Sequence, residues 1–224
     1  MQASVKLALE LPSRGLCVDL GCGTGYSTLN LVGENRSVVA VDTSPEALVH
    51  ARAKAPKVDF RQQDALEFLQ GTQNATVDRV LAVNVLYAMH DGEELLRQIY
   101  RVLRPGGLFV FADPIPSMDP KRVLFANYRW RWKENNFAKA FALIVADTWL
   151  AARILMINRE ILKLVGTGSY RFRSLEEHIQ NAEEAGFKVR SFGPVYAAQA
   201  NFIVLEKPAG FGPDLVGARG RDAA

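Results

Sequence analysis

The stretch Val18-Asp19-Leu20-Gly21-Cys22-Gly23-Thr24-Gly25-Tyr26 limits the fold of this chain more than any other. An apolar run, Leu16 to Leu20, reads as a short buried strand. Three glycines at alternate positions make a tight turn, and Ser27 to Val32 reads as the first turns of a helix. Glycine takes positive φ and lets a ligand lie against bare backbone. The helix would aim its free N–H groups and the positive end of its dipole at the same place. Strand, glycine bed and helix start together predict a nucleotide-type binding site.

The spacing narrows the ligand. Dinucleotide folds use G-x-G-x-x-G, whose third glycine lets helix and strand pack closely. Here the third glycine falls one residue early, at Gly25, and Tyr26 holds the dinucleotide position. No Gly-Lys-Ser/Thr follows, which excludes a P-loop. An ordinary glycine turn in an α/β protein is the competing reading. An acidic residue leading straight into the glycines, Asp19 to Gly25, resembles motif I of the class I S-adenosylmethionine-dependent methyltransferases. The resemblance implies S-adenosyl-L-methionine as cofactor, held by Asp19, Gly21, Cys22, Gly23 and Gly25.

Further strands and acidic residues follow in a regular order. Ser37 to Val41 is a β-branched run ending at Asp42, 23 residues after Asp19. A carboxylate there can accept two hydrogen bonds from a ribose diol. It can equally serve as a turn or cap residue, since Thr43-Ser44-Pro45-Glu46 opens the next helix. Val58 to Gln62 is a third strand with Asp64-Ala65 just beyond it. Asp64 resembles the family residue that accepts from the adenine amino group; it also suits the N-cap of a helix over Ala65 to Leu69. By the same resemblance Thr43 and Ala65 line the cofactor.

Val77 to Val83 is a fourth strand, followed by Asn84-Val85-Leu86-Tyr87-Ala88-Met89-His90-Asp91. Loops at the carboxyl ends of parallel strands form the ligand crevice of such folds. The resemblance places Asn84 against the methionine part of the cofactor and its neighbours against the methyl acceptor. Val85 and Leu86 stand where base-amine methyltransferases carry the two prolines of Asn-Pro-Pro-Tyr, which weighs against that activity. His90 is the candidate general base, should the acceptor be a hydroxyl. His50 and His178 read as surface residues. No metal site is expected.

Glu93 to Leu103 is an amphipathic helix. Arg101-Val102-Leu103-Arg104-Pro105-Gly106-Gly107 closely resembles a recurring family segment that stops this helix and turns into a fifth strand, Leu108 to Ala112. Ser174-Leu175-Glu176-Glu177 is a capping box opening a helix to Ala185. Phe187 to Phe192 and Ala200 to Glu206 form a closing strand pair. The expected fold is α/β: a doubly wound, Rossmann-like seven-stranded sheet, mostly parallel with an antiparallel last strand, plus a helical lid insertion. One domain spans residues 1–207, with a helix over Gln2 to Leu11 and the lid over about 114–172. Residues 208–224 read as a disordered tail.

The lid segment holds Phe125, Tyr128, Trp130 and Trp132 interleaved with Arg129 and Arg131, then a long helix over Phe137 to Val165. Three readings compete: a helical cover packed on the sheet, aromatics walling a lipophilic acceptor site, or a basic surface for a membrane or nucleic acid. Tyr26, Tyr87, Tyr128, Trp130 and Tyr170 are the candidate acceptor-lining residues. Uncharged runs fall short of the roughly 18–20 residues a transmembrane helix needs, though peripheral membrane contact stays open. The net charge of +3 is too weak to argue for nucleic acid. Two cysteines cannot build a disulfide framework, and Met1 to Arg14 lacks a signal-peptide core, so a cytoplasmic setting is expected.

These features predict a methyltransferase acting on a small, lipophilic acceptor at oxygen, nitrogen or carbon. Two alternatives remain: an RNA or protein methyltransferase using the basic aromatic lid, and a non-catalytic S-adenosylmethionine-binding module.

Overall fold

The computed structural model of the chain describes residues 10–119, 122, 126, 129 and 170–209. The expected early helix, the long helix over Phe137 to Val165, Tyr128, Trp130 and nearly all of the tail lie outside the described residues.

Seven strands form one sheet: β1 Gly15–Leu20, β2 Arg36–Asp42, β3 Asp59–Gln62, β4 Val77–Val83, β5 Leu103–Pro114, β6 Lys188–Val195 and β7 Ala200–Glu206. Their spatial order is β3-β2-β1-β4-β5-β7-β6. The pairs from β3 through β5 are parallel, and β7 runs antiparallel to both β5 and β6. The expected sheet is thus the observed one. The strand order reverses between β1 and β4, so their carboxyl ends open the crevice where ligands bind in doubly wound folds.

Four helices cover the described sheet: α1 Pro45–Lys54, α2 Ala65–Gln70, α3 Gly92–Val102 and α4 Leu175–Glu184. Their starts follow from local chemistry. The Ser44 hydroxyl accepts the Ala47 N–H and Pro45 fills the first helical position. Ser174 and Glu177 form the predicted reciprocal capping box. Leu95, Leu96, Ile99 and Val102 of α3 pack with Phe68 and Leu69 of α2 and Ala182 of α4 over Val18, Val80, Phe109 and Phe111. Each such large apolar side chain contributes roughly 1.5–3 kcal/mol. Cys17, Leu81, Val110 and Val204 point to the opposite face, and Leu48 and Ala51 of α1 join Ala40 and Phe60 in a third cluster.

One expected element differs. Ser27 to Val32 is not an α-helix but a single 3-10 turn, Thr28–Asn30. The Ser27 and Thr28 hydroxyls are both drawn onto the Asp19 carboxylate, and the Asn30 side chain donates back to the Ser27 carbonyl. Arg36 then caps the carbonyls of Leu31 and Val32. These local bonds compete with helix propagation. The dipole of a long helix therefore does not face the glycine bed.

Candidate active site

The glycine loop leaves β1 with Gly21, Gly23 and Gly25 at φ of 61°, 52° and 83°. Two of these glycines are enforced by packing as well. A β-carbon on Gly21 would meet Val85 Cγ2, and one on Gly25 would meet the backbone of Ala51 on α1. Gly23 differs, because a β-carbon there would meet nothing within 4 Å. Open space over the middle of the loop is what a ligand lying on bare peptide requires.

Asp42 stands at the carboxyl end of β2 and faces this loop. Its Oδ2 accepts the Gly23 N–H at 2.7 Å and its Oδ1 accepts the Ser44 N–H at 2.9 Å. A carboxylate has about four acceptor sites, so each oxygen keeps one for a ligand hydroxyl. The ribose and turn readings of Asp42 are thus compatible. Asp42 is half-buried.

Asp19 is fully buried beneath the loop. Its Oδ2 accepts the Thr28 hydroxyl at 2.6 Å and the Ser27 hydroxyl at 2.9 Å, while Oδ1 has no partner among the described residues. Burial pushes its carboxyl up to about 7, against the two hydroxyl bonds that favour the charged form. Cys22 is buried beside it, and burial raises its thiol to about 12, so it is an inert packing group.

Around the rim, Thr43 is exposed and Ala65 is buried. Asp64 caps α2 as the second reading held: its Oδ1 accepts the N–H groups of Leu66 and Glu67. Its Oδ2 makes no bond among the described residues and is exposed at the end of β3. Tyr26 is 62% exposed, with Lys54 Nζ 4.3 Å from its ring centroid.

The loop after β4 forms the other wall. Asn84 is exposed at φ 60°, a left-handed conformation that asparagine tolerates better than most residues, and its N–H donates to the Ala112 carbonyl. Val85 and Leu86 turn inward. Tyr87 packs edge-on against Tyr170 at 5.3 Å and Phe172 at 5.2 Å between ring centroids. Burial, with help from Asp113, raises its phenol to about 12, so it stays protonated at neutral pH. His90 is exposed three residues further on.

His178 corrects an expectation. It is 2% exposed, its ring edge-on to Phe111 at 5.1 Å, and burial lowers it to about 4. The helical face of α4 that carries it turns to the core, so it is a neutral packing histidine. His50 is on the surface as expected.

Of the residues the sequence singles out for the cofactor, Asp42, Asp64 and Asn84 stand at or just past the carboxyl ends of β2, β3 and β4, while Asp19, Cys22 and Ala65 are buried. The sequence reading missed Asp113 and Arg173, both buried behind the loop after β4. Asp113 had a signal: like Asp42, it is an acid ending an apolar run. Among the described residues there is no group of three or more His, Cys, Asp or Glu placed to hold a metal, and no helix is long and apolar enough to cross a membrane.

Residues 18–111 match the family described as "Methyltransferase domain". A trans-aconitate 2-methyltransferase of Azoarcus sp. is 35% identical over 144 residues, 63% of this chain and 56% of that protein. A trans-aconitate 2-methyltransferase of Methylobacterium radiotolerans is 33% identical over 121 residues, 53% of this chain and 45% of that protein. The chain spans about half the length of the curated relatives it matches. Among solved structures, a phosphoethanolamine N-methyltransferase 2 of Haemonchus contortus in complex with S-adenosyl-L-methionine superposes at TM-score 0.63 and 15% identity, over 92% of this chain and 52% of that one. The cyclase SpnF superposes at TM-score 0.62 and 16% identity, over 93% of this chain and 80% of that one. At such identities these structures share the fold.

Proposed function

We propose that the chain is a class I S-adenosylmethionine-dependent methyltransferase that transfers a methyl group from S-adenosylmethionine to a small, lipophilic acceptor. The observation that supports this best is the pairing of Asp42 with Gly23 beside open space. The Gly21–Gly25 backbone takes the cofactor's body, the spare lone pairs of Asp42 take the ribose hydroxyls, and Asp64 Oδ2 takes the adenine amino group. Asn84 faces the methionine end.

The cofactor supplies a methyl already activated on a sulfonium sulfur, so the protein's main task is alignment. Holding the acceptor atom about 3–3.5 Å from the methyl, in line with the breaking bond, can account for most of the acceleration. The Tyr87, Tyr170 and Phe172 rings give the acceptor side an aromatic wall. A hydroxyl acceptor needs a base, and His90 is the group of this loop that can supply one. The whole forms one domain over residues 1–207, working in a reduced cytoplasmic setting where Cys17 and Cys22 remain thiols.

The trans-aconitate 2-methyltransferase names of two relatives favour a second acceptor class, a small carboxylic acid. A carboxylate needs no base, so His90→Gln separates the two: activity on a hydroxyl falls, activity on a carboxylate does not. Labelled-methyl transfer to fractionated cell extract tests the main reading. Label in the lipophilic small-molecule fraction supports it, and label in the polar acid fraction supports the second reading. Label in RNA or protein overturns both. Cofactor binding with no label anywhere identifies a binding module.

A further inference from the structure

The loop over residues 85–87 is gripped on both polar edges of its backbone. On one side, Asp113 Oδ1 accepts the Val85 N–H at 3.0 Å; burial pushes this carboxyl up, and the N–H groups of Val85, Leu86 and Tyr87 oppose that rise. Successive N–H groups converging on one anion make a nest. On the other side, Arg173 Nη1 donates to the Leu86 carbonyl at 3.2 Å and the Arg171 N–H donates to the Tyr87 carbonyl at 2.8 Å.

The cost of this arrangement argues for a purpose. Asp113 is 1% exposed and Arg173 6%, and Asp113 Oδ2 and Arg173 Nε have no partner among the described residues. Buried charges without full pairing are expensive. Arg173 also immediately precedes the N-cap of α4, the end of a helix where a cation is disfavoured. It therefore does not serve that helix. Glu177, the nearby acid, is already engaged by the Ser174 N–H and by Arg171. What Arg173 does serve is the Leu86 carbonyl; burial pushes the Asp113 carboxyl up to about 7, and the Arg173 charge partly opposes that rise.

We propose that Asp113 and Arg173 are positioning residues: together they clamp the loop 85–87 and so fix Tyr87 at the acceptor side of the crevice. This rests on the methyltransferase reading for its functional meaning, but the clamp itself can be measured without it. The pair makes no described bond to Asp42 or to the 21–25 glycine loop, which meets the clamped loop through the Val85 side chain at Gly21, so releasing the backbone clamp loosens the acceptor wall more than the cofactor bed.

The test uses the full chain with Asp113→Ala, the conservative Asp113→Asn, which keeps an oxygen for the Val85 N–H, and Arg173→Lys. Amide hydrogen exchange by mass spectrometry should rise about tenfold or more over residues 84–90 in Asp113→Ala and Arg173→Lys, by clearly less over 21–25, and partly return in Asp113→Asn. S-adenosylhomocysteine affinity by calorimetry should stay within about threefold. On the acceptor found by labelled transfer, kcat should fall about tenfold or more, since small misplacements are costly in alignment-driven reactions. Unchanged exchange over 84–90 overturns the clamp, as does equal loss of cofactor affinity and activity. If Asp113→Ala does not fold, the other two variants are read by the same criteria. If the wild-type chain binds no S-adenosylhomocysteine, the methyltransferase reading fails while the exchange data still decide the clamp.

Discussion

Gly21 and Val85 are in contact across the crevice floor: a β-carbon built on Gly21 would lie 2.6 Å from Val85 Cγ2. The glycine loop after β1 and the loop after β4 thus touch at this point, and Gly21 is also held at φ 61°. Gly21→Ala meets both obstacles and should destabilise the chain by about 1–3 kcal/mol while weakening S-adenosylhomocysteine binding. Adding Val85→Ala removes the clash but not the positive φ, so the double variant should recover only part of the loss. Thermal melts and calorimetry on the single and double variants decide this; full recovery would show that the backbone angle carries no cost.

Asp42→Ala should reduce S-adenosylhomocysteine affinity by about 10- to 100-fold, because two charge-assisted hydrogen bonds to the ribose are lost. The Gly23 and Ser44 N–H groups also lose their acceptor, but both lie at the crevice where water replaces it, so the melting temperature should drop only a few degrees. Calorimetry that finds unchanged affinity would remove the ribose assignment.

How much of this was legible in the sequence follows from where the signals are local. Strand runs, the Ser174 to Glu177 capping box and the acids at strand ends are written in neighbouring residues, and the seven-stranded sheet followed from them. The 3-10 turn at Thr28 was not legible, because it depends on Asp19 reaching forward to two hydroxyls. His178 was misread as exposed because the pattern of α4 does not reveal that Phe111 lies opposite it. The Asp113–Arg173 clamp was missed for the same reason: its parts are sixty residues apart in the chain and meet only after the sheet forms.

The pH dependence of stability should carry the mark of Asp19. Its folded-state value of about 7 lies above the usual 3.8, so the native chain holds a proton over this range that the unfolded chain has released. Stability from that proton is complete below about pH 4 and is lost as pH rises to about 7, at up to about 1.4 kcal/mol per unit. Asp113 adds a loss of the same sign, and His178, lowered to about 4, acts oppositely as pH falls from 6.5. Asp19→Asn leaves those two in place and removes only the first. The melting temperature of the wild type relative to Asp19→Asn should therefore be highest near pH 5 and lowest near pH 8. A constant difference across that range would show that Asp19 does not titrate there.

The most family-like segment, Arg101 to Gly107, should prove to be scaffold and not machinery. Arg101 donates to the carbonyls of Leu69 at 2.6 Å and Thr72 at 2.8 Å, to Gln98 Oε1 at 2.7 Å and to Asn74 Oδ1. It ties the end of α3 to the turn that follows α2, on the side of the sheet away from the carboxyl ends of β1 and β4. Gly106, at φ 75°, donates its N–H to the Lys207 carbonyl and so fixes the end of β7 to the start of β5. Arg101→Met keeps the side chain's apolar length but leaves these half-buried carbonyls without a donor, at about 1–3 kcal/mol. The urea midpoint should fall accordingly, with the slope unchanged. S-adenosylhomocysteine affinity at low denaturant should remain that of the wild type, because nothing in the crevice bonds to Arg101. A variant of normal stability with lost cofactor binding would reverse the assignment and place this segment in the site.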